Sequence, residues 1–320
     1  VVACKTHLRR EADAGALDVA TSVFFGGGTP SQLPPELLGE LLEEIPRRPG
    51  AEVTVECNPD DVTPAMLVTF RGAGVTRISL GIQSMASHVL RGLGRSHDPE
   101  AVVRSVALVG AAGFERFSVD LIFGGAGETE ADWVSTLEGA MSLEPAPAHV
   151  SAYALTVEPG TPLASEPSRH PDEDMLAHRY RVADDMLSRA GLEWYEISNW
   201  ALPGQECRHN LLYWEQGNYL GIGCAAHSHR DGRRWWNVRR PERYITAIAE
   251  GRSPVCGEER LDERERRFES KVLGLRTREG LRLSEVSPDP DLDGLVHLGR
   301  RATLTLSGRL LANEVAARLE

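Results

Sequence analysis

The sequence predicts an α/β fold: strands and helices alternating as a barrel, with a small α+β appendage behind it. Three observations predict this. Short apolar strands alternate with amphipathic helices from Val19 to Ser198, the pattern of repeated β/α units and a mostly parallel sheet. Several strands carry a polar residue at or just after their ends, as in barrels whose site lies on the C-terminal rim. After Ser198 the periodicity gives way to a segment rich in Trp, Tyr and His.

The elements follow in order. A helix over Thr6–Ala14 precedes the first visible strand, Val19–Phe25, which runs into Gly26-Gly-Gly-Thr-Pro-Ser. Side chains are absent where that backbone turns, so a ligand can approach bare N–H and C=O groups. Further strands are predicted at Glu52–Cys57, Arg77–Ile82, Phe117–Phe123, His149–Leu155 and Glu193–Ser198. Helices are predicted at Pro34–Ile45, Pro64–Gly72, Pro99–Ala112, Glu130–Leu143 and Asp172–Ala190. Proline is tolerated in a helix's first turn, and Gly74, Gly113 and Gly191 stand where a left-handed cap is needed. Three segments result: the barrel over 1–200, an aromatic and His-rich extension over 201–257, and a small winged-helix-like domain over 258–320. The last contains the helix Glu263–Leu273, the strand Thr303–Leu306 and the helix Ser307–Leu319.

Composition excludes several classes. The 320 residues carry a formal net charge of −12, and residues 258–320 hold 12 basic and 13 acidic side chains. Neither gives the basic footprint of a nucleic-acid binder. No apolar run approaches the roughly 20 residues of a membrane span. Cys4, Cys57, Cys207, Cys224 and Cys256 are scattered, with no C-x-x-C pair, so a reducing cytoplasm is expected rather than a disulfide framework. The sequence begins at Val1 without Met, and a barrel strand is expected before the first helix.

Four polar residues mark the strand ends: Glu56 in Thr-Val-Glu-Cys-Asn-Pro, Gln83 in Ser-Leu-Gly-Ile-Gln-Ser, Arg95 in Gly-Arg-Ser-His, and Asp120 in Ser-Val-Asp-Leu-Ile. A carboxylate inside an apolar strand needs a ligand hydroxyl or a buried donor, and from spacing alone both remain open.

The motifs Gly26-Gly-Gly-Thr-Pro-Ser, Glu56-Cys-Asn-Pro, Ser79-Leu-Gly-Ile-Gln, Asp120-Leu-Ile-Phe-Gly and Val150-Ser-Ala-Tyr occur in order. The chain thereby resembles the oxygen-independent coproporphyrinogen III dehydrogenase-like family of radical S-adenosylmethionine (SAM) proteins. The resemblance implies a partial (β/α)6 TIM-like barrel whose first strand is absent from this chain. It also implies roles: Gly27, Gly28 and Thr29 at the amino end of S-adenosylmethionine, and Glu56 on its hydroxyls or amino group. Gln83 and Asp120 are implied at the ribose and Arg95 on the carboxylate. A guanidinium fork suits a carboxylate. The family holds a [4Fe–4S] cluster on three cysteines spaced C-x-x-x-C-x-x-C. That motif is absent here, and its ligands are expected in a preceding segment. No cysteine present has the spacing, and Cys57 is expected to pack as a small apolar residue.

His209-Asn-Leu-Leu-Tyr213-Trp214 resembles a motif of the family's heme-chaperone branch, as do Gly221-Ile-Gly-Cys-Ala-Ala-His-Ser and Arg234-Trp-Trp-Asn-Val. The branch implies binding of heme b and its transfer to an acceptor apo-hemoprotein, with a membrane-associated respiratory enzyme as the kind of acceptor. A neutral imidazole is a sound heme-iron ligand, which points to His209. Tyr213 and Trp214 offer flat faces to a porphyrin, and Arg208, Arg233 or Arg234 suit its propionates. Cys207, His227 and His229 are rival ligands. Two alternatives stay open: an enzyme that oxidatively decarboxylates coproporphyrinogen propionates by radical chemistry, and a cluster-less binding module.

Overall fold

The computed structural model describes residues 1–161, 163–286 and 289–318. In chain order the elements begin with α1 (Val2–Asp13), β1 (Ala20–Phe25), α2 (Pro35–Glu43) and β2 (Arg47–Cys57). Then come α3 (Pro64–Ala73), β3 (Arg77–Gln83), α4 (Ser87–Gly92), α5 (Pro99–Ala111), β4 (Phe117–Phe123), α6 (Glu130–Met141) and β5 (His149–Ala154). Next are α7 (Glu173–Arg189), β6 (Glu193–Glu196), β7 (Asn199–Ala201) and α8 (Arg208–Trp214). The last part contains β8 (His227–Arg230), β9 (Arg233–Asn237), α9 (Pro241–Ala249), β10 (Val255–Arg260) and α10 (Glu263–Leu275). It ends with β11 (Val296–Leu298), β12 (Ala302–Leu304), α11 (Leu306–Leu310) and α12 (Ala312–Ala317).

The main sheet has seven strands in the order β1-β2-β3-β4-β5-β7-β6 and forms the partial barrel. Strands β2 to β5 are parallel neighbours, each reached through helices, as a β/α repeat requires. Helices α3, α5, α6 and α7 each open on an Asp or Thr side chain that accepts a hydrogen bond from the first turn, supplying a partner for an otherwise orphaned N–H.

The chain divides into two compact units. One comprises Phe24–Pro35 and Val53–Glu206. Its apolar core is set by strict alternation. On β3 Ile78, Leu80 and Ile82 are buried, and on β4 Phe117, Val119, Leu121 and Phe123. The intervening positions are Arg77, Ser79, Gly81 and Gln83, then Ser118 and Asp120. Successive strand residues point to opposite faces, so the same strands present one apolar and one polar surface.

The other unit comprises Val1–Val23, Glu36–Glu52 and the chain from Cys207 onward. In it α1 packs on α9 through His7 Nδ1 and Tyr244 Oη at 3.0 Å, and Arg10 donates to the Ile248 carbonyl at 2.7 Å. A three-stranded antiparallel sheet, β10-β9-β8, carries Trp235 and Trp236 on β9.

The structure departs from expectation at several elements; the first helix, expected over Thr6–Ala14, already begins at Val2. The strand expected over Glu193–Ser198 stops at Glu196, and β7 returns antiparallel to both β5 and β6. Arg47–Ala51 extend β2 toward the N-terminal side. The strand expected at Thr303–Leu306 ends at Leu304, because Thr305 caps α11 by accepting from Gly308 N–H at 3.0 Å. The helix expected over Ser307–Leu319 is two short helices, broken at Leu311; Leu319 lies outside the described residues.

Candidate functional site

The barrel unit gathers the predicted strand-end residues. Register pairs Glu56 with Ser79, Ser79 with Ser118, Asp120 with Ser151, Ser151 with Asn199 and Asn199 with Glu196. Directly paired residues face the same side, so this polar row crosses six strands. Asp120 sits at its centre. Ser79 Oγ donates to Asp120 Oδ2 at 2.8 Å and Ser151 Oγ to Oδ1 at 2.6 Å, and Ser118 donates to Ser79 at 2.9 Å. The buried donors that a carboxylate in this strand requires are therefore serine hydroxyls. Each carboxylate oxygen keeps a further lone pair for a ligand hydroxyl.

Burial pushes the Asp120 carboxyl above its ordinary range, against the pull of Ser151, Ser79 and Arg77. Glu56 is also raised, by burial and then by the charge of Asp120, with the Gly27 N–H opposing. Two carboxyls that resist ionisation together create a place where a ligand cation is well rewarded.

The glycine loop closes over Glu56. Gly27 N–H donates to Glu56 Oε2 at 3.2 Å. A Cβ on Gly26 would stand 2.5 Å from Phe24 Cε1 and 3.0 Å from the Glu56 carboxyl. Gly27 and Gly28 have φ of 74° and 89°, a backbone that side-chain-bearing residues seldom adopt. Thr29 follows, half-buried, at the head of a short turn. Ser31 Oγ donates to Asp61 at 2.6 Å and accepts from Asn58 N–H at 3.2 Å, tying this loop to the one after β2.

Gln83 ends β3 with φ 61°, buried, its amide folded back above Gly81. Such a conformation costs on the order of 1 kcal/mol. The loop beyond is anchored twice: His97 Nε2 bonds the Ile82 carbonyl at 2.9 Å and Ser96 Oγ donates to Asp60 at 2.8 Å. Between these anchors and α4 lies Arg95, whose guanidinium takes no hydrogen bond or ion pair among the described residues.

Sequence reasoning missed the far end of the row. Glu196 is buried, and desolvation pushes it up to about 7. Asn199 donates to it, and Ser198 N–H donates to Oε2 at 3.3 Å. Tyr153, from the Val150-Ser-Ala-Tyr motif, faces the same side; burial and then Asp120 raise its phenol. The alternation His149, Ser151, Tyr153 is the signal that places it there.

The second constellation is in the other unit. Buried Glu52 accepts from His209 N–H at 3.2 Å and from Cys207 Sγ at 3.5 Å, fixing the start of α8. His209 Nδ1 lies 3.1 Å from Ser22 Oγ on β1, and Nε2 lies 2.8 Å from Tyr213 Oη one turn along. Burial lowers His209 to about 4, with Glu52 opposing, so the imidazole is neutral at pH 7. Tyr213 stands edge-on to His209 at 4.8 Å and to Tyr219 at 4.7 Å, and is 42% exposed. Trp214 is half-buried and makes no ring contact among the described residues.

The rivals have other occupations. His229 is buried, with Nδ1 on the Gly217 carbonyl at 2.9 Å and Nε2 accepting from Gly232 N–H at 3.1 Å. His227 is exposed and stacks on Trp236 at 5.7 Å. Arg234 is paired with Glu269 and with Glu259 at 3.3 Å, and Arg233 with Glu258 through Nε at 3.0 Å. Arg208 donates to the Gly50 carbonyl at 3.1 Å. Cys57 lies on the apolar face of β2, its thiol pushed up to about 12 by burial. Among the described residues no group of three His, Cys, Asp or Glu can hold a metal ion. No helix among them is long and apolar enough to cross a membrane.

The radical SAM superfamily model matches residues 6–140. A heme chaperone HemW from Mycobacterium tuberculosis is 42% identical over 327 residues, covering 97% of this chain and 83% of that protein. Heme chaperone HemW from Bacillus subtilis is 35% identical over 329 residues, covering 95% and 86%. Coproporphyrinogen III oxidase (HemN) from Escherichia coli, a radical SAM enzyme, shares the fold with a TM-score of 0.83 at 20% identity, over 99% of this chain and 81% of that one. With the ordered strand-end motifs and the His209–Trp214 helix, these likenesses establish that the chain belongs to the HemW family of radical SAM proteins.

Proposed function

We propose that this protein is a cytoplasmic heme chaperone that ligates heme through His209 and passes it to an acceptor apo-hemoprotein. The observation that carries the proposal is the neutral imidazole of His209, oriented by Ser22 and set beside the exposed Tyr213. Unprotonated nitrogen is what iron requires. The names of the relatives point to the same ligand.

The barrel residues fit S-adenosylmethionine. Gly27 and Gly28 offer bare backbone, Glu56 and Asp120 suit an ammonium and ribose hydroxyls, Gln83 at the end of β3 suits the ribose as well, and Arg95 suits a carboxylate. Bound, that molecule supplies a sulfonium with a cleavable C5′–S bond. A [4Fe–4S] cluster takes thiolate ligands, which the described residues do not group.

The test is an anaerobic heme titration followed by the Soret band. Wild-type protein should bind one heme per chain; His209→Ala should weaken binding by more than about tenfold, while His227→Ala leaves it within about threefold. Equal affinities for both variants would remove His209 as the ligand. In parallel, Asp120→Asn and Arg95→Ala should each weaken S-adenosylmethionine binding by about tenfold by calorimetry. Conversion of coproporphyrinogen without specific heme binding would favour the decarboxylating enzyme.

A further inference from the structure

Both nitrogens of His209 are engaged, Nδ1 with Ser22 and Nε2 with Tyr213. The two partners differ. Ser22 lies in β1, where its position is set by the strand. Tyr213 lies in the same short helix as His209, is 42% exposed, and stands edge-on to His209 and to Tyr219, with interplanar angles of 79° and 90°. Nε2 is therefore covered by the more exposed of the two groups.

We propose that Tyr213 is a latch on the ligating nitrogen and that Ser22 is the positioning residue that keeps that nitrogen available. Ligation through Nε2 needs the tautomer with its proton on Nδ1, and the Ser22 hydroxyl accepts that proton's hydrogen bond. In the heme-free protein Tyr213 O–H donates to Nε2 and satisfies it. Iron takes the nitrogen only when the phenol leaves, and the phenol returns as the iron departs. The tyrosine thus lowers affinity modestly and offers a partner to the histidine at handover, when an unpartnered nitrogen would otherwise slow release. Tyr219 provides the edge against which the ring parks; its backbone is fixed by the paired hydrogen bonds with His229 at 2.9 Å.

This inference rests on the heme-binding proposal, and the experiment separates the two. Hemin is titrated into wild-type protein, Tyr213→Phe, Ser22→Ala, Ser22→Thr and His209→Ala. Association is followed by stopped flow, and transfer to apomyoglobin is timed. Tyr213→Phe keeps the ring and removes the competing hydrogen bond. It should bind hemin about 2- to 10-fold more tightly, the range of one hydrogen bond, and hand it over correspondingly more slowly. Ser22→Ala should weaken binding and broaden the Soret band, and Ser22→Thr, which retains the hydroxyl, should restore both. Unchanged or weaker binding in Tyr213→Phe overturns the latch even where His209→Ala abolishes the Soret signature. An unaltered signature in His209→Ala overturns the underlying ligand proposal instead.

Discussion

Gly26 shows how a single hydrogen in place of a side chain serves the site. Its missing Cβ leaves room for Phe24 and for the carboxyl of Glu56, which in turn receives the Gly27 N–H. Gly26→Ala should displace that carboxyl. Calorimetry should show S-adenosylmethionine binding weakened by about tenfold, while the thermal midpoint moves only a few degrees, as about 1 kcal/mol of local strain implies. Charge at single residues has a pH signature as well. His209 is held near 4 against an ordinary 6.5. Between those values the unfolded chain binds more protons than the native one, so this residue's contribution to stability is complete above about 6.5 and is lost as pH falls toward 4. Heme affinity should accordingly stay flat from pH 8 to about 5 and fall only below that, whereas ligation by an ordinary histidine would already weaken near 6.5. Glu196 carries the opposite sign. Its carboxyl is raised from 4.5 to about 7, so the native state binds more protons across that window and stability falls as pH rises through it. Denaturant unfolding of Glu196→Gln should therefore show a gain over wild type at pH 8 that shrinks at pH 5.

At the scale of elements, polar and apolar positions alternate so regularly on β3, β4 and β5 that both faces can be read from the sequence. The β6–β7 hairpin cannot. No Gly or Pro marks its turn; instead the Glu196 carboxylate accepts from Ser198 N–H and from Asn199, the work turn residues usually do for themselves. The His-rich segment is similar. His229 reads as a metal ligand by type, yet both its nitrogens close backbone bonds in the turns around β8. The loop after β4 depends on one buried pair: Arg179 of α7 bonds both the carboxylate and the carbonyl of Glu128, and that carboxylate accepts from Gly124 N–H at 2.7 Å. Arg179→Ala would strand a buried carboxylate and should cost about 3–5 kcal/mol in chemical denaturation. Arg95→Ala, at a side chain with no hydrogen bond or ion pair among the described residues, should leave stability within about 0.5 kcal/mol.

At the scale of the whole molecule, the two constellations fall in different compact units: the glycine loop and carboxylates in one, and His209 with Ser22, Glu52 and Tyr213 in the other. With no residue shared, their variants should act independently. Asp120→Asn should leave hemin affinity within about twofold, and His209→Ala should do the same for S-adenosylmethionine; combined, the effects should add. The sequence by itself determined the order of β/α units and the strand-end residues Glu56, Gln83 and Asp120. Period-two alternation, helix caps and Gly–Pro punctuation are local signals, readable within a few residues. Only the tertiary structure decided what surrounds His209. Ser22, Glu52 and His209 are far apart in the chain, and no local pattern brings a serine to one ring nitrogen and a carboxylate to the backbone of the same residue. The same holds for Asp120, whose hydroxyl partners come from the neighbouring strands. Which polar side chains meet is fixed by strand register and long-range packing, and these exist only once the chain has folded.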